Sequence, residues 1–376
     1  MRGVLDKIER TKWLAGLELA RRSSGFARAI DPTPNAVSFK VTANCNSLCI
    51  SCTDWKEVSR GELTTEEIQD AMRQLRDLGV KNFYFSGGEP TLRRDLALLV
   101  AYATREMGFR TGMTSNGLTM TEERCRSLLE AGLGTLGFSV EGTRESHDRI
   151  RGAKGFYDRT LRSIKIAAEL RKEHPFALFV GFTMMSANMD HLVPMANELA
   201  PLGVTINVGL VNFTTHQFRG ADGKTMGLWV KDLARLEKVI DEALALKGEN
   251  PRLFGNLSPE WKTYAMEYFK DPLGERIPCS VGFHKLYVDP YGHLYACWPL
   301  PATGNIREQT IKEILDSEKH RKTLRAMLNL QCPGCSCNTF TNRFNHLPRV
   351  VERKWNALTR ALASSPVSHE QVCDQY

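Results

Sequence analysis

The sequence predicts an α/β protein, a partial (β/α)6 TIM-like barrel followed by a smaller cysteine-rich unit. Three observations carry this. Six short β-rich runs alternate with helical patterns between about residues 36 and 211, the signature of parallel strands joined through helices. The alternation stops after six units, which suits an open barrel better than a closed eight-stranded one. From Cys279 on, cysteines return in quantity and the βα rhythm is lost.

The elements follow in order. The opening 30 residues pattern as a basic amphipathic helix, with Val4, Leu5, Ile8, Trp13, Leu14 and Leu17 near helical spacing. That helix is expected to pack on the body of the protein; contact with a membrane surface is the less favoured reading. Strands are expected at 36–42, 82–86, 109–115, 135–140, 177–185 and 204–211, with helices between them. The strands look largely apolar on both faces, as a helix-covered parallel sheet requires. In such folds chemistry belongs on the loops at the carboxyl ends of the strands. After Val211 a polar loop offers His216, Gln217, Arg219, Asp222 and Lys224 as substrate contacts, and a helix follows over about 229–247. The expected domains are an N-terminal helical extension (1–34), the barrel (35–250), the cysteine-rich unit (251–340) and a C-terminal helical tail (341–376).

Composition narrows the class. Hydrophobic residues at 42% and charged residues at 25% are ordinary for a soluble globular chain. The net charge of +7 is spread among mixed signs, so no nucleic-acid partner is expected. Apolar runs such as LALLVAYA fall far short of the roughly 20 residues that cross a bilayer. The expected compartment is the cytoplasm, where ten clustered cysteines point to metal or redox chemistry rather than to disulfides.

The first cluster of cysteines is TANCNSLCISC, with Cys45, Cys49 and Cys52 on one loop directly after the first strand. Thiolates bind zinc or iron–sulfur clusters. Structural zinc and [4Fe–4S] clusters usually take four protein ligands. Three leave one coordination position open to a non-protein ligand. Cys279 and Cys297 flank an apparent hairpin, KLYVD-PYG-HLYAC, and Cys332 and Cys335 form a C-x2-C pair. These four thiolates make a closed site for zinc or for a second cluster.

A C-x3-C-x2-C loop at the end of the first strand of a βα array resembles the radical S-adenosylmethionine (SAM) superfamily, and the resemblance covers most of the chain. It implies that the iron left open at the first cluster chelates the methionine moiety of SAM. One electron from the cluster then cleaves the sulfonium to a 5′-deoxyadenosyl radical. It also assigns the loops that follow. In FSGGEP, Gly87, Gly88 and Glu89 would hold the methionine amino group. In TSNG, Ser115 and Asn116 would bond the ribose hydroxyls, and in SVEG, Ser139 and Glu141 would contact ribose or carboxylate. Arg151, in HDRIRG, is the candidate for the methionine carboxylate. One residue departs from the pattern: Ser51 stands where the family often has a large side chain near adenine, which leaves Ile50 or Phe182 as expected adenine contacts.

The second cysteine set, with Gly292 and Cys297 spaced as G-x4-C, resembles the auxiliary-cluster domains of the same superfamily. The seven cysteines of the fuller SPASM form are not present. The shorter twitch type is therefore expected, with one [4Fe–4S] cluster on Cys279, Cys297, Cys332 and Cys335. Cys337 is the alternative to Cys335, and Cys125 is a core thiol. The implied cofactors are two [4Fe–4S] clusters and SAM, with reduction by a flavodoxin- or ferredoxin-type donor. The implied chemistry is hydrogen abstraction. A fully ligated auxiliary cluster suits electron removal, so the expected reaction is dehydrogenation of a small or sugar-like metabolite. The alternatives are epimerisation of a sugar and modification or bond formation on a peptide or lipid-linked substrate. Cys337 and Cys373 are candidate hydrogen donors for the epimerase route. Only 44 residues precede Cys45, which weighs against a peptide-recognition domain ahead of the barrel.

Overall fold

The computed structural model describes residues 34–57, 59–212, 227–273 and 279–336. The N-terminal helix, the polar loop with His216, Gln217, Arg219, Asp222 and Lys224, the residues Cys337 and Cys373, and the C-terminal tail lie outside the described residues.

The element order is β1 (Ala36–Lys40), α1 (Thr65–Asp77), β2 (Asn82–Ser86), α2 (Leu96–Ala101), β3 (Arg110–Ser115), α3 (Glu122–Glu130), β4 (Thr135–Ser139), α4 (Arg144–Arg151), α5 (Phe156–Leu170), β5 (Ala177–Met184), α6 (Leu192–Leu199), β6 (Thr205–Leu210), α7 (Leu233–Glu249), α8 (Pro259–Lys270), β7 (Lys285–Val288), β8 (His293–Tyr295), β9 (Gly304–Asn305), α9 (Ile311–Asp316) and α10 (Glu318–Leu328). Strands β1 to β6 pair in parallel and in sequence order. The expected hairpin forms as β7–β8, and β7 also joins the sheet in parallel beside β1. The result is one nine-stranded sheet, β6-β5-β4-β3-β2-β1-β7-β8-β9, whose two ends do not meet. It is an open, partial barrel.

Local sequence explains the elements. Helix α1 starts on a capping box in which Thr64 and Glu67 each accept the other's backbone N–H. Its buried Ile68, Ala71, Met72 and Leu75 recur at i, i+3, i+4 and i+7, the stripe that packs on a sheet. At the outer edge of β6, Ile206 bridges Phe254, and the Asn256 amide bonds both the N–H and the C=O of Val208 (2.9 and 2.7 Å). The edge is thereby covered and its backbone groups are satisfied.

One expectation needs correction. The strands are not apolar on both faces. Burial alternates along β2, β5 and β6, and the helix-facing side carries Phe39, Phe83, Phe85, Phe138 and Phe182. The concave side presents Ser38, Lys40, Tyr84, Thr114, Ser139, Thr183 and Asn207, with the Phe179 ring lying over Gly137. A packed barrel core would fill that face with apolar side chains; here most of its side chains are polar and half-buried. Barrel packing runs on past residue 250. Leu253, Phe254, Leu257, Trp261, Ala265, Tyr268 and Phe269 all join the barrel core, with the Tyr268 hydroxyl bonded to the Val211 carbonyl (2.9 Å). A separate small core, of Val281, Phe283, Ala296, Leu324, Met327 and Leu328, begins only after Cys279.

Candidate active site

The site forms where the loops after β1, β2, β3 and β4 converge. The loop after β1 holds three free cysteines, Cys49 buried and Cys45 and Cys52 half-buried. Burial desolvates two of the thiols and pushes Cys45 up to about 11 and Cys52 up to about 12, so without a bound metal both would hold their protons. Protein donors already point at the sulfurs. The Asp54 N–H donates to Cys52 Sγ at 3.4 Å, and Arg151 Nη1 donates to Cys49 Sγ at 3.6 Å. The Trp55 indole N–H donates to the carbonyls of Cys52 (2.9 Å) and Cys49 (3.3 Å) and closes the loop on itself. N–H donors aimed at ligand sulfurs are the outer-shell arrangement that supports a thiolate-bound cluster, so these residues fit the group the sequence implies. Among the described residues, no three His, Cys, Asp or Glu side chains converge as a single-ion site.

The Gly-Gly turn after β2 has a specific reason. The Gly88 and Glu89 N–H groups donate to the Thr42 and Asn44 carbonyls (2.9 and 2.7 Å). A Cβ on Gly87 would sit 2.5 Å from the Thr42 oxygen, and one on Gly88 would sit 2.5 Å from the Ala43 oxygen and also meet Asn44. What approaches these glycines is the backbone leading into Cys45, so the turn braces the cysteine loop. Glu89 is fully buried, and its carboxylate accepts from Thr91 N–H and Oγ1, from Ser115 Oγ (2.9 Å) and from Asn116 N–H (2.7 Å). Burial pushes its pKa up while these bonds oppose the shift. Glu89 thus ties the end of β2 to the end of β3. Asn116 reaches the cysteine loop through Asn46 (2.7 Å).

At the end of β4, Glu141 and Arg151 form a buried ion pair at 2.7 Å. The other Glu141 oxygen accepts from Thr183 N–H at 2.9 Å. Burial raises the Glu141 pKa, and Arg151 opposes it. The Arg151 Nε is buried without a partner, and so is His147 Nε2, whose Nδ1 accepts from Glu141 N–H. Arg151 therefore bridges Cys49 and Glu141 in one network. The Ser139 hydroxyl is half-buried on the concave side and makes no hydrogen bond to the described residues. Of the expected adenine contacts, Phe182 lies in the helix-side core, on the far face of β5, while Ile50 stands partly exposed.

The auxiliary cysteines come from both ends of the open sheet. Cys279 and Cys297 pack against the small core, and the Cys279 N–H donates to Met327 O. The loop with Cys332 and Cys335 is pinned to the end of β6, where Ser336 bonds the Leu210 carbonyl (2.8 Å) and Asn212 Oδ1 (2.6 Å). All four thiols are free of disulfides.

Sequence reasoning missed four residues that hold this region. Lys40 pairs with Asp54 at 2.7 Å, and Glu62 accepts from Ala43 N–H (2.6 Å) and Thr42 Oγ1 (3.0 Å). Trp55 is the fourth. The run CTDW carried the available signal, since Asp54 and Trp55 directly follow the last cysteine. Lys40 and Asp54 also line a cavity of about 330 Å³ between the cysteine loop and the β7–β8 turn, with Gly88, Asp289, Tyr291 and Tyr295.

Three loop thiols, two of them with hydrogen-bonded sulfurs, over a polar open barrel, define an iron–sulfur enzyme with an open coordination position. Residues 39–210 match the family model of the Radical SAM superfamily, and residues 279–338 match the SPASM iron–sulfur cluster-binding domain. The chain belongs to the radical SAM superfamily, and its cofactors are SAM and two iron–sulfur clusters.

Among curated relatives, an AdoMet-dependent heme synthase of Methanosarcina barkeri is 26% identical over 85% of this chain and 96% of its own length. A PqqA peptide cyclase of Rhodopseudomonas palustris is 30% identical over 61% of this chain, which spans 58% of the cyclase. Among solved structures, Streptococcus suis SuiB bound to S-adenosylmethionine superposes with a TM-score of 0.63 at 15% identity, covering 80% of this chain and 71% of SuiB. Native anSMEcpe with bound AdoMet and a peptide gives 0.60 at 18% identity, over 80% and 89%. These two likenesses concern the fold. No described helix is long and apolar enough to cross a membrane.

Proposed function

We propose that the chain abstracts a hydrogen atom from a peptide substrate held over the concave face of the barrel, leading to oxidation or bond formation on that peptide. The observation that carries this is the 30% identity to a PqqA peptide cyclase. It supports the peptide alternative over dehydrogenation or epimerisation of a small or sugar-like metabolite. A second reading is heme synthesis from a porphyrin, supported by the near full-length match to a heme synthase.

The residues take these roles. Cys45, Cys49 and Cys52 hold the first [4Fe–4S] cluster, and Cys279, Cys297, Cys332 and Cys335 hold the auxiliary one. When bound, the first cluster and SAM supply the adenosyl radical. Gly87 and Gly88 fix the cysteine loop and present backbone to the methionine amino group. Glu89 positions Ser115 and Asn116 toward the ribose, and the Ser139 hydroxyl, which has no partner among the described residues, bonds it. Arg151 balances Glu141 and the Cys49 sulfur and faces the methionine carboxylate. A flavodoxin- or ferredoxin-type protein supplies the electron.

The test uses anaerobically reconstituted protein beside a Cys45/Cys49/Cys52 triple-alanine variant. Two [4Fe–4S] sites give about eight irons in the wild type and about four in the variant, which also loses 5′-deoxyadenosine formation. Candidate peptides and iron porphyrins are then supplied deuterated. Deuterium in 5′-deoxyadenosine from a peptide supports the main reading. Deuterium from the porphyrin alone replaces it with the second.

A further inference from the structure

The cysteine loop carries two exposed apolar side chains, of which only Ile50 is an expected adenine contact. Leu48 is 55% exposed and Ile50 38%, on either side of the buried Cys49. Their exposure is built in. The Leu48 and Ile50 N–H groups donate to the carbonyls of Arg151 (3.3 Å) and Ile150 (2.9 Å), which clips the loop against the end of α4. Gly152 lies directly under Leu48, where a Cβ would come within 2.9 Å of the leucine Cβ. The leucine is therefore held outward on a rigid support rather than left loose.

The surroundings are basic. From 144 to 159 the exposed charges are Arg144, Arg149, Lys154 and Arg159 against Glu145 and Asp158, while the Arg151 side chain is largely buried on Glu141. Asp148 is turned inward, accepting from the Gly155 and Tyr157 N–H groups at 2.6 and 2.7 Å. Arg144 pairs with Asp158. Arg149 and Lys154 are exposed. An exposed apolar pair clipped to the end of α4, next in the chain to the exposed Arg149 and Lys154, fits a partner with an apolar contact and an acidic rim. A one-electron donor has a further requirement, because electron transfer falls off steeply with distance. At this patch the surface is one residue from the sulfur of Cys49.

We propose that Leu48 and Ile50, with Lys154 and Arg149 as rim, form the docking surface for a small acidic protein that carries a low-potential one-electron centre. In the transfer, the donor is oxidised by one electron and the first cluster is reduced by one. This rests on the ligand reading for Cys45, Cys49 and Cys52. Electron-transfer encounters of this kind are small and transient, so rim charge acts mainly on the association rate.

The experiment compares two reductants on the reconstituted, two-cluster protein. One is an acidic flavodoxin, photoreduced to its hydroquinone, and the other is dithionite, which needs no docking surface. Variants are Leu48→Gln, Lys154→Glu and the pair together. Expected is a fall of about tenfold or more in the flavodoxin-driven reduction rate for the double variant, with the rate of Lys154→Glu losing much of the wild-type salt dependence. Iron content and dithionite-driven 5′-deoxyadenosine formation should stay at wild-type levels. Unchanged flavodoxin rates overturn the proposal. Equal losses with both reductants also overturn it, because the residues would then support the cluster and not a partner. Failure of the cluster reading itself would show separately, as wild-type protein without reducible iron.

Discussion

The Lys40 ammonium meets the Asp54 carboxylate at 2.7 Å, with nine-tenths of each side chain out of water. Asp54 donates its N–H to Cys52 Sγ, and the Lys40 ammonium also lies 4.9 Å over the Trp298 ring, one residue after Cys297. The pair therefore joins the β1 cysteine loop to the cysteine hairpin at the boundary between the two cores. The Trp298 ring is itself held between Tyr287 and Tyr295, at 5.1 and 5.3 Å.

Breaking this pair from one side should be costly. Lys40→Met leaves a buried carboxylate uncompensated, and the expected loss is about 3–5 kcal/mol of unfolding free energy. The double variant Lys40→Met/Asp54→Leu should recover much of it, since an apolar pair avoids the stranded charge. Urea unfolding of the four proteins in a cycle measures the coupling. Additive losses would mean that the two groups do not act as a pair.

Gly88→Ala should act on the first cysteine loop and leave the second site alone. The added Cβ meets the carbonyl oxygens of Ala43 and Asn44, both backbone, so the loop itself must shift. Expected is a fall from about eight irons toward four on reconstitution, with the auxiliary cluster's spectrum retained. Full iron loading at wild-type SAM affinity would show that the loop tolerates the shift.

His320 should give folding a measurable pH dependence. It is fully buried, with Nδ1 against Thr303 Oγ1 at 3.0 Å and Nε2 unpartnered. Burial, helped by Arg321, lowers its pKa to about 4. The unfolded chain takes up the proton near the ordinary value of about 6.5. Stability from keeping the ring neutral is thus complete above that value and is lost as pH falls from there toward about 4. Between pH 7.5 and 5.5 the loss is about 1.4 kcal/mol for one such histidine. His320→Gln should reduce the difference in unfolding free energy between those two pH values by that amount. The subtraction removes contributions that both proteins share, acid effects on the clusters among them. An unchanged difference would place the ring's proton elsewhere.

Much of this was legible in the sequence because strand periodicity and cysteine spacing are local signals. The six βα units, the hairpin around Asp289–Gly292 and the cysteine loops all came from short patterns. What was not legible depends on which face a residue takes after the sheet curls. Ser38, Lys40, Tyr84 and Thr114 sit in short runs that look apolar overall, yet they share the concave side. The pairing of β7 with β1 joins residues about 250 apart, which no local pattern shows. Helix α4 was missed because its residues are mostly polar and charged, and its buried face amounts to Ser146, His147 and Ile150. Glu89 illustrates the same limit at the site: its position was readable, but that its carboxylate would be occupied by Ser115 and Asn116 was not.

The auxiliary cysteines should close the barrel as well as hold a cluster. Cys279 and Cys297 belong to the small core beside β7 and β8, whereas the Cys332–Cys335 loop hangs from the end of β6 through Ser336, Leu210 and Asn212. β6 lies six strands away from β7 along the sheet. A cluster ligated by all four would therefore clasp the two ends of an open sheet, and its loss would release β6. Cys335→Ala is expected to lower iron by about four per chain and to raise amide exchange at the end of β6 and in residues 331–336. Exchange in β2 and β3, between the first cysteine loop and the centre of the sheet, should not change. Ser336→Ala offers the reciprocal test, since it removes the tether without touching a thiol: the cluster should load but be lost faster on exposure to chelator. If Cys335→Ala leaves the exchange of β6 at the wild-type rate, the clasp is wrong, and the ends of the sheet are held by side-chain packing alone.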